Sequence, residues 1–220
     1  MNFQFPGHDS RVTITGATGS GKTRFGNWLF SYSAFNRRPY VIIDYKGDDL
    51  IEQIDRARVI TLNDVPKHPG LYILRPRPDE AEKMEAWLWK VWAKGNIGLF
   101  FDEGYMAPNK GALNAILCQG RSLKIPTMIL TQRPTYCSRF VFSEAGYFAI
   151  FRLNDKRDYE TVQGFTPRNE AFDFDIRLPA YTARWYDVAR DYSAIIDPVP
   201  GDEYILDRFD DLLRTKHKGI

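Results

Sequence analysis

Short apolar runs separated by amphipathic segments set the pattern of this chain, and they predict strands that alternate with helices. The clearest predicted strands lie at residues 12–15, 40–44, 98–102, 127–131 and 147–153, and weaker ones at 58–61 and 71–74. Alternating strands and helices are typical of a mostly parallel sheet covered by helices on both faces. The pattern therefore predicts an α/β fold.

Helical periodicity is clearest in the middle of the chain. Asp79 followed by Glu82 is typical of a helix start. Apolar residues then recur at helical spacing, and they are Met84, Trp87, Leu88, Val91 and Trp92. We interpret the tryptophans here, Trp89 included, as a core face with one partly exposed ring rather than as a base-stacking surface.

The last quarter of the chain predicts a late β-hairpin, 181–187 with 192–196, and a C-terminal helix from Asp202 to about Lys216. The end of this helix is basic, and its charged residues are Arg214, Lys216, His217 and Lys218. Because basic groups complement the helix dipole at this end, a solvated helix terminus is expected. A contact with DNA or with a partner is the alternative.

Composition fits one α/β domain over residues 1–220, with 44% apolar residues to form its core. We place the core of the domain at about 11–165 and interpret 166–220 as an extension packed on it.

A net charge of +2 argues against a strongly basic coat protein for nucleic acid, but not against subunits that share DNA contacts in a ring. Cys118 and Cys137 fit no metal motif and indicate reduced thiols. The sequence contains no run of about eighteen apolar residues, so no transmembrane helix is predicted.

The most specific motif is G-x-x-x-x-G-K-T, the P-loop pattern. Its residues are Gly16, Ala17, Thr18, Gly19, Ser20, Gly21, Lys22 and Thr23. The glycines let backbone N–H groups turn inward around phosphate oxygens, so the whole run is expected to bind ATP. Lys22 would reach the β- and γ-phosphates, and the Thr23 hydroxyl would bind Mg²⁺. The helix predicted after the motif directs its N-terminus at the phosphates.

A second motif lies where the apolar strand 98–102 ends in two carboxylates, Asp102 and Glu103. This is the Walker B pattern, in which Asp102 holds Mg²⁺ and Glu103 polarises the attacking water. A base beside Mg²⁺ and phosphate favours hydrolysis of ATP over transfer of its phosphate to a metabolite. Because strand 40–44 lies between the two motif strands in sequence and a glutamate follows the aspartate, the chain fits the P-loop branch with an additional strand between them.

Gln132 follows the strand 127–131. Its amide can hydrogen-bond the γ-phosphate or the lytic water, so we expect it to sense hydrolysis. A polar cap at the end of a strand is the alternative interpretation.

Taken together, these motifs resemble the FtsK/HerA superfamily of DNA-pumping ATPases. The resemblance rests on these segments: the P-loop, the D-x-K-G-D run within 41–48, Phe101-Asp102-Glu103, Gly120-Arg121, the T-Q-R-P end of 129–134 and the strand at 147–153. It covers roughly residues 11–165. With no room for a winged-helix DNA reader, a long linker or a membrane anchor, the chain most resembles the genome-packaging ATPases of tailless internal-membrane double-stranded DNA viruses, the tectivirus-type phages.

This resemblance implies an additional-strand, RecA/FtsK-like P-loop NTPase that uses ATP and Mg²⁺ to translocate viral double-stranded DNA into a preformed capsid. It also implies a homo-oligomer, expected as a hexameric ring, that contacts DNA independently of sequence and docks on a capsid vertex or viral membrane proteins. The expected locations are the host cytoplasm and the virion.

Ring ATPases usually complete each site with an arginine from the neighbouring subunit. Arg121 is the first candidate and Arg133 the second, and a surface salt bridge explains an isolated arginine equally well. Asp44 and Lys46 are expected to shape the nucleotide site or the subunit boundary, although Asp44 is equally explained as a structural carboxylate. Lys110 either contacts DNA phosphates or lies in a plain exposed loop.

Four other functions compete with genome packaging. They are a phage assembly or secretion ATPase of the filamentous-phage type, another FtsK/HerA-like DNA translocase, a nucleotide-gated structural module and a small-molecule kinase. The lack of a predicted transmembrane helix counts against the first, and the intact Glu103 counts against the structural module. The D-x-K-G-D run and the Gln132-Arg133-Pro134 ending count against a kinase.

Overall fold

The computed structural model describes residues 5–108 and 111–214. Its strands are β1 Arg11–Thr15, β2 Pro39–Asp44, β3 Arg58–Ile60, β4 Gly70–Leu74, β5 Gly98–Asp102, β6 Thr127–Thr131, β7 Tyr147–Ile150, β8 Ala183–Asp187 and β9 Tyr192–Ile196. Its α-helices are α1 Lys22–Phe30, α2 Asp49–Glu52, α3 Ala81–Lys94, α4 Ala112–Gln119, α5 Phe140–Ser143, α6 Lys156–Gln163 and α7 Asp202–Arg214. Short 3₁₀ turns lie at Pro78–Glu80, Gly104–Met106, Pro134–Tyr136 and Glu170–Phe172.

All the strands belong to one sheet, in the order β3-β4-β2-β5-β6-β1-β7-β8-β9. The first seven strands of the chain run parallel, and β8 and β9 add an antiparallel edge. The predicted α/β fold is confirmed. The strand that separates β1 from β5 is β6, which pairs with both. The strand at 40–44, which lies between the motif strands in sequence, instead pairs with the far side of β5.

The parallel register brings the carboxyl ends of the central strands to one edge of the sheet. Thr15 at the end of β1 pairs with Thr131 of β6, and Asp44 of β2 pairs with Asp102 of β5. Ligands of open α/β sheets bind outside this edge. The register therefore places the P-loop, the Walker B carboxylates and the residue after β6 in one region.

Apolar side chains fill both faces of the sheet, as expected for parallel strands covered on both sides. Alternate residues of β2, such as Val41 and Ile42, point into opposite core clusters. In α3 the ring of Trp87 is fully buried, while Trp89 remains 42% exposed. This confirms the interpretation of these tryptophans as a core face with one partly exposed ring.

Apart from shifts of one residue at other strand ends, three predicted boundaries differ from the structure. Strand β7 ends at Ile150 rather than 153, because the Arg152 carbonyl accepts a hydrogen bond from the Ala17 N–H of the P-loop. Strand β8 starts at Ala183 rather than 181, because Tyr181 has a φ of +61° that an extended strand cannot contain. Helix α3 starts at Ala81, after the 3₁₀ turn that holds Asp79.

The C-terminal helix α7 lies against the P-loop helix α1. The Arg24 guanidinium makes a two-pronged ion pair with Asp202, with Nε–Oδ1 at 2.7 Å and Nη2–Oδ2 at 3.0 Å. The Arg208 guanidinium stacks 3.5 Å from the centre of the Tyr32 ring. The predicted basic residues Lys216, His217 and Lys218 lie outside the described residues. Within the described ranges, no helix is both long and apolar enough to cross a membrane.

Candidate active site

The P-loop connects β1 to α1 and surrounds a cavity of about 500 Å³. Gly19 and Gly21 have φ values of +73° and +96°, a region that favours glycine because a side chain would clash. A Cβ on Gly16 would lie 2.5 Å from the Ser20 hydroxyl and 2.7 Å from the Cβ of Phe151, so this position has no room for one. The glycines of the motif are thus required by both conformation and space.

Helix α1 begins inside this loop, with Gly21 as its N-cap. Among the described residues, no side chain caps the helix, and its first turn contains no acidic residue. The first N–H groups of a helix have no partner within the helix and carry partial positive charge. These donors are therefore available to an anion in the cavity, as the motif predicts.

The two residues predicted to hold Mg²⁺ lie side by side. The Thr23 hydroxyl donates a hydrogen bond to Asp102 Oδ1 at 3.3 Å, although the residues are 79 positions apart in sequence. Burial, reinforced by the neighbouring Glu103 carboxylate, raises the pKa of Asp102 to about 7. A cation bound at this point would favour the charged form of Asp102.

Glu103 is fully buried beside two lysines. Its Oε1 lies 3.1 Å from Lys22 Nζ and also forms an ion pair with Lys46 Nζ. Its Oε2 is buried and has no hydrogen-bond partner among the described residues. The backbone of Glu103 has a φ of +66°, which is uncommon for a residue other than glycine. Such strained residues cluster at functional sites, and here the strain orients a carboxylate next to the P-loop lysine.

The D-x-K-G-D run forms the loop that carries Lys46 to this glutamate. Asp44 Oδ1 accepts hydrogen bonds from the backbone N–H groups of Lys46, Gly47 and Asp48 at 3.3, 2.8 and 3.2 Å. The other oxygen of Asp44 pairs with Arg75 Nε at 3.0 Å. Asp44 thus shapes the loop, and Lys46 projects from it into the site.

Replacing Lys46 by methionine is expected to lower kcat for ATP hydrolysis by about tenfold and to change KM little. A hydrogen bond to a charged group contributes roughly 1.5–3 kcal/mol, and 1.4 kcal/mol corresponds to about a factor of ten. Steady-state phosphate release measures the effect. Lys83→Met is the matched control, because Lys83 is exposed and its ion pair within the described part of the chain is with Glu80. A kcat within twofold of the wild-type value in Lys46→Met would show that Lys46 does not position Glu103.

Gln132 lies between the P-loop and the turn that follows β5. Its Oε1 accepts a hydrogen bond from the Thr18 hydroxyl, and its Nε2 donates to the Tyr105 hydroxyl at 3.3 Å. The predicted sensor residue therefore touches the P-loop directly. Tyr105 has no recognisable sequence signal, since it belongs to a short 3₁₀ turn that no motif describes.

The two candidate arginines have different surroundings. Arg121 is exposed in the turn between α4 and β6, at the edge of the sheet opposite the P-loop, so it does not reach the site of its own chain. No carboxylate in the described ranges forms an ion pair with it. Arg133 instead pairs with Asp155 and Asp158 at 3.5 and 3.4 Å and stacks over Tyr136. Lys110, the candidate DNA contact, lies outside the described residues.

A P-loop on β1, two carboxylates at the end of β5 and an intervening strand β6 that leads to Gln132 together define an additional-strand P-loop ATPase. The chain is 42% identical over 219 residues to the DNA packaging ATPase P9 of Enterobacteria phage PRD1, with 96% of each chain covered. It belongs to this family of DNA packaging ATPases, which confirms the predicted resemblance. A scan against protein-family models finds no match.

Solved structures show the same fold at lower identity. The genome packaging NTPase B204 of Sulfolobus turreted icosahedral virus 2, in complex with sulfate, matches with a TM-score of 0.69 and 19% identity, over 89% of this chain and 99% of that chain. Its complex with AMPPCP matches with a TM-score of 0.68 and 20% identity, over 89% and 100%. ATPases 2 and 3 of EssC from Geobacillus thermodenitrificans match with a TM-score of 0.62 and 15% identity, over 96% of this chain and 45% of that chain.

Proposed function

We propose that this chain is an ATP-hydrolysing motor that moves viral double-stranded DNA into a preformed capsid. One observation carries the ATPase part: the buried Glu103 carboxylate lies 3.1 Å from Lys22, which lines the P-loop cavity. The DNA part is supported by membership of the family that includes the PRD1 packaging ATPase.

The geometry indicates how nucleotide binding would prepare the base. Lys22 lines the phosphate cavity and pairs with Glu103, so a bound γ-phosphate competes with the carboxylate for the ammonium group. Lys46 would then continue to hold Glu103 Oε1, and the unpartnered Oε2 would accept the proton of the attacking water. The water oxygen bonds to the γ-phosphorus, the bond from that phosphorus to the bridging oxygen breaks, and ADP and phosphate leave.

The pair formed by Thr23 and Asp102 fits Mg²⁺. A hydroxyl oxygen and a carboxylate oxygen 3.3 Å apart are hard ligands of the kind this ion prefers, and a bound cation would favour the charged form of Asp102 against the burial that raises its pKa. When bound, Mg²⁺ would supply charge neutralisation for the phosphate oxygens.

Gln132 and an arginine supplied by a neighbour complete the proposed site. The contacts of Gln132 with Thr18 and Tyr105 would change when the γ-phosphate leaves, so hydrolysis would be sensed at the end of β6. Exposed Arg121, on the opposite edge, would reach the site of the next subunit in a homo-oligomer, which we expect to be a hexameric ring. The ring would hold DNA without sequence preference and dock on a capsid vertex or viral membrane proteins, in the host cytoplasm and the virion.

Long duplex DNA is expected to stimulate phosphate release from ATP by the purified protein. Stimulation should weaken as salt rises, because contacts with DNA phosphates release counterions on binding. The measurement is steady-state phosphate release with and without duplex DNA at two salt concentrations, with Glu103→Gln as the inactive control. Hydrolysis that is indifferent to DNA at low salt would contradict a free-standing DNA motor and favour the assembly or secretion ATPase.

A further inference from the structure

A second cavity lies next to the phosphate cavity formed by the P-loop, and the sequence motifs do not account for it. It has a volume of about 410 Å³, within the range of roughly 300–1,000 Å³ usual for small-molecule sites. Thr18, Gly19, Ser20 and Tyr181 line both this side cavity and the phosphate cavity. The two cavities therefore adjoin at these residues, so a molecule with phosphates in the P-loop cavity could extend toward the side cavity.

Tyr181 stands at the boundary between the two cavities. Its ring packs against the P-loop, since a Cβ placed on Gly21 would lie 3.1 Å from Tyr181 Cδ1. Its side chain is nevertheless 55% exposed, and its φ of +61° is unfavourable for a bulky residue. Burial within the chain does not explain an exposed aromatic ring on a strained backbone. Such strain commonly marks a ligand contact.

The remaining wall of the side cavity offers hydrogen-bond donors. Arg152 and Arg177 line it, both are exposed, and neither forms an ion pair within residues 5–108 and 111–214. Guanidinium groups donate hydrogen bonds and accept none. The flat Tyr181 ring and these arginine donors together suit a heteroaromatic base, whose ring nitrogens and carbonyl oxygens are acceptors.

We infer that the side cavity is the nucleobase subsite of this ATPase and that the Tyr181 ring stacks on the purine base. The inference rests on the proposed nucleotide binding and adds the residues that recognise the base. Because stacking uses the face of the base, which every purine presents, the subsite accepts adenine and guanine nucleotides.

The test compares ADP with inorganic pyrophosphate, which lacks the nucleoside, in direct binding measurements on the full chain with Mg²⁺. Tyr181→Gly removes the ring, and glycine accepts the positive φ without strain. We expect this variant to bind ADP about tenfold more weakly and pyrophosphate within twofold of the wild type. Tyr181→Phe keeps the ring and should bind both ligands as the wild type does. Thermal unfolding midpoints verify that each variant is folded.

Two results would overturn the inference. One is an unchanged ADP affinity in Tyr181→Gly. The other is an equal loss of affinity for ADP and pyrophosphate, which would show that Tyr181 supports the P-loop rather than the base. Both leave the ATPase proposal standing, since wild-type binding and hydrolysis are measured separately. A wild-type chain that binds neither ligand would instead refute the nucleotide site itself.

Discussion

Replacing Glu103 by glutamine is expected to slow ATP hydrolysis by about 10²–10⁴-fold, the usual contribution of a positioned general base. Glutamine keeps the size of the side chain but cannot take the proton of the attacking water. ATP should still bind, because the P-loop amides, Lys22 and Thr23 are untouched. The glutamine also no longer neutralises Lys22, so the phosphates lose one competitor for its ammonium group.

Single-turnover phosphate release and a separate measurement of ATP affinity check this prediction. Glu160→Gln is the matched control, because Glu160 is exposed and, among the residues the structure describes, pairs only with Lys156 one helical turn away. The control should hydrolyse ATP as the wild type does. If Glu103→Gln does so too, the assignment of Glu103 as the catalytic base is wrong, however well the carboxylate is placed.

Replacing Arg121 by alanine is expected to lower hydrolysis about 10³-fold in the assembled protein, since an arginine finger contributes roughly 10³–10⁵ in kcat. The loss would arise because Arg121, in our proposal, stabilises charge on the phosphates at the site of a neighbour. ATP affinity should change far less, as the developing charge is present only in the transition state. Arg37→Ala is the control, because Arg37 is also exposed.

Mixing inactive variants tests whether Arg121 acts between subunits. An Arg121→Ala subunit retains Glu103, and a Glu103→Gln subunit retains Arg121. In mixed assemblies some interfaces therefore combine an intact base with an intact arginine, and activity should reappear. Absence of activity in mixtures that do co-assemble would show that Arg121 does not complete a neighbouring site. Arg133→Ala would then be examined, although its ion pairs with Asp155 and Asp158 already engage it locally.

The local sequence was sufficient to predict most of the strands and helices. The strands at the centre of the sheet were predictable because parallel strands buried on both faces require continuous apolar runs. The P-loop was predictable because its conformation needs glycine at particular positions, such as Gly19 and Gly21. Boundaries near the site were less predictable. Strand β7 ends early because its last predicted residues bond to the P-loop, and β8 begins late because of the backbone of Tyr181.

The sequence by itself determined the α/β class, the phosphate cradle, the carboxylate pair after β5 and the family, because each depends on residue types within a short segment. Only the tertiary structure decided that β6 separates β1 from β5, that Lys46 reaches Glu103 across 57 positions, and that Tyr181 lies against Gly21. These contacts join segments far apart in the chain, and their geometry follows from how the strands order and pack rather than from any local pattern.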